Sequence, residues 1–203
     1  MATDENSNVV SKHNLILDLD ENIINAKDME RFFKKLTPEN KQKAEKFEVH
    51  NCDGYFIIFE RPHLQEFLDY AFENFNVSVW TAASKDYALF IINDIILQNK
   101  PERKLDYVFF SYHCGLSEEV YSDESKNLKL FWEKYKLAGY NEKNTFIMDD
   151  NDKVIKSNPL NSIQSPEFKF KLQNSENDTF LKDVIEKLDK LKDAESVQDV
   201  LKK

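Results

Sequence analysis

Leu15-Ile16-Leu17-Asp18-Leu19-Asp20-Glu21-Asn22 is the stretch on which the fold turns. Three apolar residues run straight into two carboxylates spaced two positions apart, the pattern of a buried strand whose end opens onto a polar site. Three further apolar runs end in the same way: Val77-Ser78-Val79-Trp80 before Thr81, Tyr107-Val108-Phe109-Phe110 before Ser111, and Thr145-Phe146-Ile147-Met148 before Asp149. Helical spacing fills the intervals. Leu64, Phe67, Leu68 and Ala71 follow Pro62, which is expected as a first helical residue; Tyr87, Phe90, Ile91 and Ile95 follow Ser84 as a cap. Leu128, Phe131, Trp132 and Tyr135 follow Ser125 as the cap of a third helix. Strand and helix in alternation predict an α/β fold, a doubly wound parallel sheet, whose ligands bind beyond the carboxyl ends of the strands. Asp18, Thr81 and Asp149-Asp150 then share one edge.

Two regions break the alternation. Residues 28–46 are charged and read as helical, and they lead into a hairpin pairing Lys46–Val49 with Tyr55–Phe59 across Asn51-Cys52-Asp53-Gly54. Together they form an insertion of residues 28–59 over the active edge. Phe180, Leu181, Val184, Ile185, Leu188 and Leu191 mark an amphipathic helix near the end, with a short one at Val197, Val200 and Leu201. Residues 1–12 are polar and aperiodic and read as a mobile tail; residues 13–203 read as one domain, a monomer.

Composition bounds the function. With 41% hydrophobic residues in 203, the chain can build one sizeable core. A net charge of -9 repels polyanions and argues against direct nucleic-acid binding, so a phosphate-bearing substrate has to be drawn in by a local site. Two cysteines, Cys52 and Cys114, make no disulfide framework, and the start of the sequence lacks the basic and apolar regions of a secretory signal. The longest apolar stretch, Ala88 to Leu97, is interrupted and too short to cross a bilayer. The expectation is a soluble intracellular protein of the cytoplasm or nucleus, with no membrane partner.

The acids carry the chemistry. Asp18 and Asp20 can face the same side of a strand end, one placed to attack phosphorus and the other to handle the leaving-group proton. Anions attacking an anion need a counter-charge, and Mg2+, which favours a few carboxylate oxygens together with water and phosphate, supplies it. Thr81, with its hydroxyl and neighbouring backbone N–H groups such as that of Ala82, can hold a phosphate oxygen, and Lys126 can neutralise the phosphoryl oxygens from an early position in its helix. Asp149-Asp150 adds the third metal-facing carboxylate. Each of these alone is a weak signal, since a strand-terminal Thr is commonly a turn residue and a lysine commonly a solvated one.

In order, Asp18-Leu19-Asp20, Arg61-Pro62-His63-Leu64-Gln65-Glu66-Phe67-Leu68, Val79-Trp80-Thr81 through Ala88, Lys126-Asn127-Leu128 and Ile147-Met148-Asp149-Asp150 resemble the FCP/SCP phosphoprotein phosphatases of the haloacid dehalogenase superfamily, from Leu15 to the final helix. The resemblance implies a haloacid-dehalogenase-like sheet with a helix-plus-hairpin insertion after the first strand. It also implies a Mg2+-dependent serine/threonine protein phosphatase working through an aspartyl-phosphate on Asp18. Its substrates would be phosphorylated proteins such as the C-terminal repeat of RNA polymerase II. Asp18 would be nucleophile and metal ligand, Asp20 the acid/base with a carbonyl on the metal, Thr81 and Ala82 phosphate binders, and Lys126 the balancing cation. Asp150 would complete the metal shell, supported by Asp149. Asn22 stands where the family has Thr or Val, and its amide can tune the site. Ser111-Tyr112-His113-Cys114 replaces a phosphoserine-binding Arg, with His113 as a substitute donor or an ordinary loop residue; Arg61 and Pro62 read as structural. Two alternatives stay open: a phosphatase of nucleotides or small metabolites, and a non-catalytic phospho-recognition module.

Overall fold

The computed structural model describes residues 12–122 and 124–202, so the expected tail, apart from Lys12, lies outside the described residues. The first strand, β1 (Asn14–Leu17), is wholly buried. It is followed by β2 (Ile24–Asp28), α1 (Met29–Lys34), α2 (Pro38–Ala44), β3 (Val49–Cys52), β4 (Phe56–Glu60) and α3 (Leu64–Asn74). Next come β5 (Asn76–Trp80), α4 (Lys85–Ile91) running into a π-helical turn at Ile92–Leu97, β6 (Leu105–Phe109) and α5 (Ser111–Val120). A second π-helical turn at Leu130–Lys134 leads to β7 (Thr145–Asp149), α6 (Asp152–Ser157), β8 (Ser162–Gln164), α7 (Phe180–Lys192) and α8 (Val197–Leu201).

The main sheet has the order β6-β5-β1-β7-β8, and every neighbouring pair is parallel. Alternation along β1 assigns its two faces to two layers. Leu15 and Leu17 join Val77, Val79, Phe146 and Met148 under the apolar faces of α3, α7 and α8; Ile16 points the other way, into a cluster with Trp80, Phe109, Phe131 and Ile147. The chain winds outward through β5 and β6, then crosses to β7 on the other flank of β1. The carboxyl end of β1 is therefore a topological switch point, where loops diverge and leave a crevice.

The expected α/β architecture is present, with differences at the boundaries. Pro62 lies in a turn before α3 rather than at its first position: Leu64 N–H donates to the Arg61 carbonyl at 3.1 Å, and His63 takes φ 67°. Proline at the second place and a positive φ at the third make this a type II turn, so the fixed φ of Pro62 serves the turn. Ser125 caps no helix; Asn127 Oδ1 instead accepts the Lys129 N–H at 2.9 Å, and helical winding starts just beyond it. Residues from Ser111, expected as a loop, form α5.

The insertion contains more sheet than expected. β2 pairs with β4, which pairs with β3, all antiparallel, so the folded part starts at Ile24, upstream of residue 28. The hairpin turn is Asp53-Gly54, both at positive φ and closed by Tyr55 N–H donating to Cys52 C=O at 2.9 Å, as a two-residue hairpin requires. Phe32, Phe59 and Phe170 form a separate aromatic cluster beneath this small sheet, with Phe59 and Phe170 stacked at 4.2 Å.

Arg61 ties insertion, site loop and C-terminal segment together. Its buried guanidinium forks onto Asp178 with both contacts at 2.9 Å, donates to the Asn22 and Pro166 carbonyls, and lies 4.5 Å from the Phe180 ring centroid. Arg61→Ala removes the cation from a buried pair and is expected to cost about 3 kcal/mol. Lysine cannot reproduce the fork, so Arg61→Lys should lose most of the same stability. Urea unfolding measures both; a loss below about 0.5 kcal/mol in either variant would contradict this bracing role.

Candidate active site

Three parallel strands end side by side at the switch point. Asp18 follows β1, Thr81 follows β5, and Asp149 is the last residue of β7, with Asp150 next to it. Asp18, Asp20, Glu21, Thr81, Ala82, Lys126, Asp149 and Asp150 line one cleft. The sequence-predicted residues are thus brought together, apart from Asn22 and His113.

Lys126 sits at the centre, 4% exposed. Its ammonium donates to Asp18 Oδ1 and, at 2.7 Å, to Asp149 Oδ2. It does not lie in a helix, as expected, but in a turn held by side chains. Asn158 Nδ2 donates to the Lys126 carbonyl at 2.8 Å, Asn158 Oδ1 accepts the Leu128 N–H at 2.9 Å, and Ser117 Oγ accepts the Asn127 N–H at 3.0 Å. Asn158 and Ser117 were not legible as site residues, because their function is to hold backbone far away in sequence.

The electrostatics follow from crowding and burial. Burial would lower the Lys126 pKa, but Asp18 and Asp149 more than offset it and hold the ammonium above the ordinary lysine range. Burial raises Asp18 well above the usual carboxylate value, against the pull of Lys126 and with Asp149 and Asp20 adding to the rise. Asp150 is pushed up to about 6, by burial first and then by Asp149. One lysine therefore does not neutralise this group of carboxylates.

Asp20 is also raised by burial, while Tyr87, donating its hydroxyl to Asp20 Oδ1 at 2.6 Å, pulls the other way. Sequence reading had placed Tyr87 only on the apolar face of its helix. Its polar use was signalled by nothing beyond its place one turn after the Ser84 cap. The Ala83 N–H donates to Thr81 Oγ1 at 3.1 Å, and the Thr81 N–H is taken by the Phe109 carbonyl at 3.0 Å. Among the described residues the Thr81 hydroxyl donates to no acceptor and the Ala82 N–H has no hydrogen bond to backbone, so both are free for an incoming oxygen.

Asn22 does not face the cleft. Its Nδ2 donates to the carbonyls of Asp18 and Met148 at 2.9 and 3.0 Å, bracing β1 against β7 at the site. His113 lies in the first turn of α5, stacked on Phe109 at 4.3 Å, with Nδ1 accepting the Phe110 N–H. Burial lowers its pKa, and the ring, packed on Phe109 and outside the lining of the cleft, is not placed to replace a phosphate-binding Arg.

Oxygen atoms of Asp18, Asp149 and Asp150 lie within 4.8 Å of one another. Hard carboxylate donors in excess of the nearby positive charge suit a divalent ion of the magnesium type. The fit places Asp18 and Asp150 toward such an ion, while Asp149 is held by Lys126 and by the Asn151 N–H at 2.8 Å. No helix among the described residues is long and apolar enough to cross a membrane.

A five-stranded parallel sheet with these acids at its switch point defines a haloacid-dehalogenase-type fold. Residues 13–200 match the model of the NLI interacting factor-like phosphatases, and the chain belongs to this family of FCP/SCP-type phosphatases. It is 42% identical over 183 residues to the putative CTD phosphatase-like protein 355R of Invertebrate iridescent virus 6, covering 85% of this chain and 96% of that protein. The protein of the same name from Invertebrate iridescent virus 3 is 40% identical, with 88% and 96% covered. Among solved structures, that of Fcp1, an essential RNA polymerase II CTD phosphatase, superposes with a TM-score of 0.57 at 22% identity; 89% of this chain and 49% of that one are covered, so the chain spans about half of Fcp1 as solved.

Carboxyl groups with raised folded-state pKa values stabilise the metal-free protein at low pH, and that contribution is lost as pH rises through the folded values, near 6 for Asp150. A divalent ion held by the same oxygens would compete with these protons. Millimolar Mg2+ should raise Tm by about 5 °C at pH 7.5, and by clearly less at pH 5.5, where the carboxyls hold their protons. Thermal denaturation with and without metal reads this; equal increments at both pH values would rule out the proposed ligand set.

Proposed function

We propose that the chain is a magnesium-dependent phosphatase of phosphoserine or phosphothreonine proteins, acting through an aspartyl-phosphate on Asp18. The observation that carries this reading is the Lys126 ammonium seated between Asp18 and Asp149 on the floor of the cleft, with Asp20 beside it under the Tyr87 hydroxyl.

An Asp18 oxygen attacks phosphorus, and the bond from phosphorus to the serine or threonine oxygen breaks. Lys126 and the Thr81 hydroxyl, with the Ala82 N–H, meet the charge on the non-bridging oxygens. Asp20, whose pKa burial raises, gives a proton to the departing alkoxide. The resulting carboxylate then takes a proton from water, which attacks the phosphorus of the acyl phosphate and returns Asp18 with release of inorganic phosphate. Bound between Asp18 and Asp150, with the Asp20 carbonyl as a third ligand, Mg2+ would supply counter-charge to the phosphate and the nucleophile. The Tyr87 hydroxyl sets how readily Asp20 ionises, because a hydrogen bond given to a carboxylate favours its charged form.

A protein substrate is supported by the names of the viral relatives. The polymerase C-terminal repeat is the first phosphopeptide to test.

Asp18→Asn is expected to lower Mg2+-dependent hydrolysis of p-nitrophenyl phosphate by at least about a thousandfold. Wild-type rates in that variant would refute the mechanism; in the native enzyme, phosphopeptide binding without turnover of any phosphate ester would establish a recognition module, and faster turnover of nucleotides than of phosphopeptides would reassign the substrate. Tyr87→Phe keeps the packing on Phe56, whose ring centroid is 5.5 Å away, and removes one hydrogen bond to Asp20. The alkaline limb of kcat/KM should move up by about half to one pH unit. A profile unchanged in position would remove Asp20 from the acid role.

A further inference from the structure

Beside the cleft, three lysines converge from two strands of chain in a protein of net charge -9. Lys27 is on β2, half-buried; Lys169 and Lys171 are on the segment that runs alongside it. That segment is fixed by its backbone and its aromatic residues. The Phe168 N–H donates to the Glu21 carbonyl at 2.6 Å and the Phe170 N–H to Asn25 Oδ1 at 3.1 Å. Phe168 and Phe170 are buried, whereas Lys169 between them is half-buried and Lys171 is exposed. The like charges of Lys169 and Lys171 are near enough, with partial burial as the larger cause, to hold Lys27 below the ordinary lysine range.

Four acids face this cluster, Asp20 and Asp150 of the cleft among them. Glu167 pairs with Lys169, and Glu21, at the cleft rim, accepts from Asn25 Nδ2 at 3.2 Å. Neither Lys27 nor Lys171 has an ion-pair partner among the described residues. The cluster adjoins the reacting groups, for Lys169 feels the charges of Glu21 and Asp150, and Lys27 those of Glu21 and Asp20. Lys169 is held up by Glu167 first, whereas Lys27 and Lys171 keep their ammonium groups for an anion that arrives at the rim.

We propose that Lys27, Lys169 and Lys171 form a second anion subsite, which takes another phosphate on the same polypeptide while the first is hydrolysed at Asp18. This rests on the phosphoprotein reading of the cleft. A doubly phosphorylated peptide is bound at two points on one rigid rim, so the second phosphate lowers KM and leaves the chemical step unchanged. An acidic side chain in its place carries about half the charge and should do less.

The test compares the wild-type chain with a Lys27→Ala/Lys171→Ala variant. The substrates are p-nitrophenyl phosphate, a singly phosphorylated peptide, doubly phosphorylated peptides with one to five residues between the phosphates, and the same peptides with Asp replacing the second phosphate. At least one doubly phosphorylated spacing should exceed the single phosphopeptide by about tenfold in kcat/KM. The gain should lie in KM, fade with added salt, and vanish in the variant, while p-nitrophenyl phosphate is turned over equally by both. Equal kcat/KM for single and double phosphopeptides, or a preference that survives in the variant, overturns the subsite. So does inhibition of p-nitrophenyl phosphate turnover by free phosphate or an RNA oligonucleotide acting through the same lysines, which would assign them to an anion outside the substrate. Failure of the wild-type chain to hydrolyse p-nitrophenyl phosphate would instead sink the underlying phosphatase reading.

Discussion

The ammonium of Lys126 between Asp18 and Asp149 is the interaction on which the site is built. Carboxylates gathered at the end of a parallel sheet repel one another, and burial raises the cost of each charge. A single buried cation makes the arrangement tolerable without satisfying it, and the remaining negative charge is of the sign that suits a divalent cation. The cation is held by a turn between two π- and α-helical segments, clamped by Asn158 from the end of α6. The site thus depends on hydrogen bonds to backbone as much as on its charged groups.

Most of the architecture was legible because it rests on pattern. Apolar runs terminating in polar or acidic residues located β1, β5, β6 and β7, and strand-helix alternation placed their ends together. Asp18, Thr81, Lys126, Asp149 and Asp150 meet in one cleft for that reason. What was not legible depends on contacts between residues distant in sequence. Lys126 was expected on a helix because Ser125 is a good cap, yet Ser117 and Asn158 accept the Asn127 and Leu128 N–H groups that such a cap would take. Pro62 was expected to start α3, and the positive φ of His63 shows a turn in its place. The strand β2 carries Lys27 and Asp28 on a short, half-buried edge, so its period was too weak to distinguish it from loop. Tyr87 and Asn22 read as helix packing and loop amide; only the folded chain discloses that one restrains the acid Asp20 and the other locks the strand end.

The insertion and the catalytic edge are coupled through few residues. Arg61 spans them, touching the Asn22 carbonyl on one side and Asp178 and Phe180 on the other. Tyr87 makes a second bridge, since its ring meets Phe56 of the insertion and its hydroxyl meets Asp20. Anything that presses on the small sheet can therefore reach Asp20 through one aromatic contact and one hydrogen bond.

One side of the small sheet packs on Phe32, Phe59 and Phe170, while Ile24, Cys52 and Ile58 join the cluster under the main sheet. Its exposed side chains answer to neither. Mutations that reshape the outer surface of the insertion leave the packing beneath the aspartates untouched, so a lineage can change what its enzyme recognises while inheriting the same reactive centre intact.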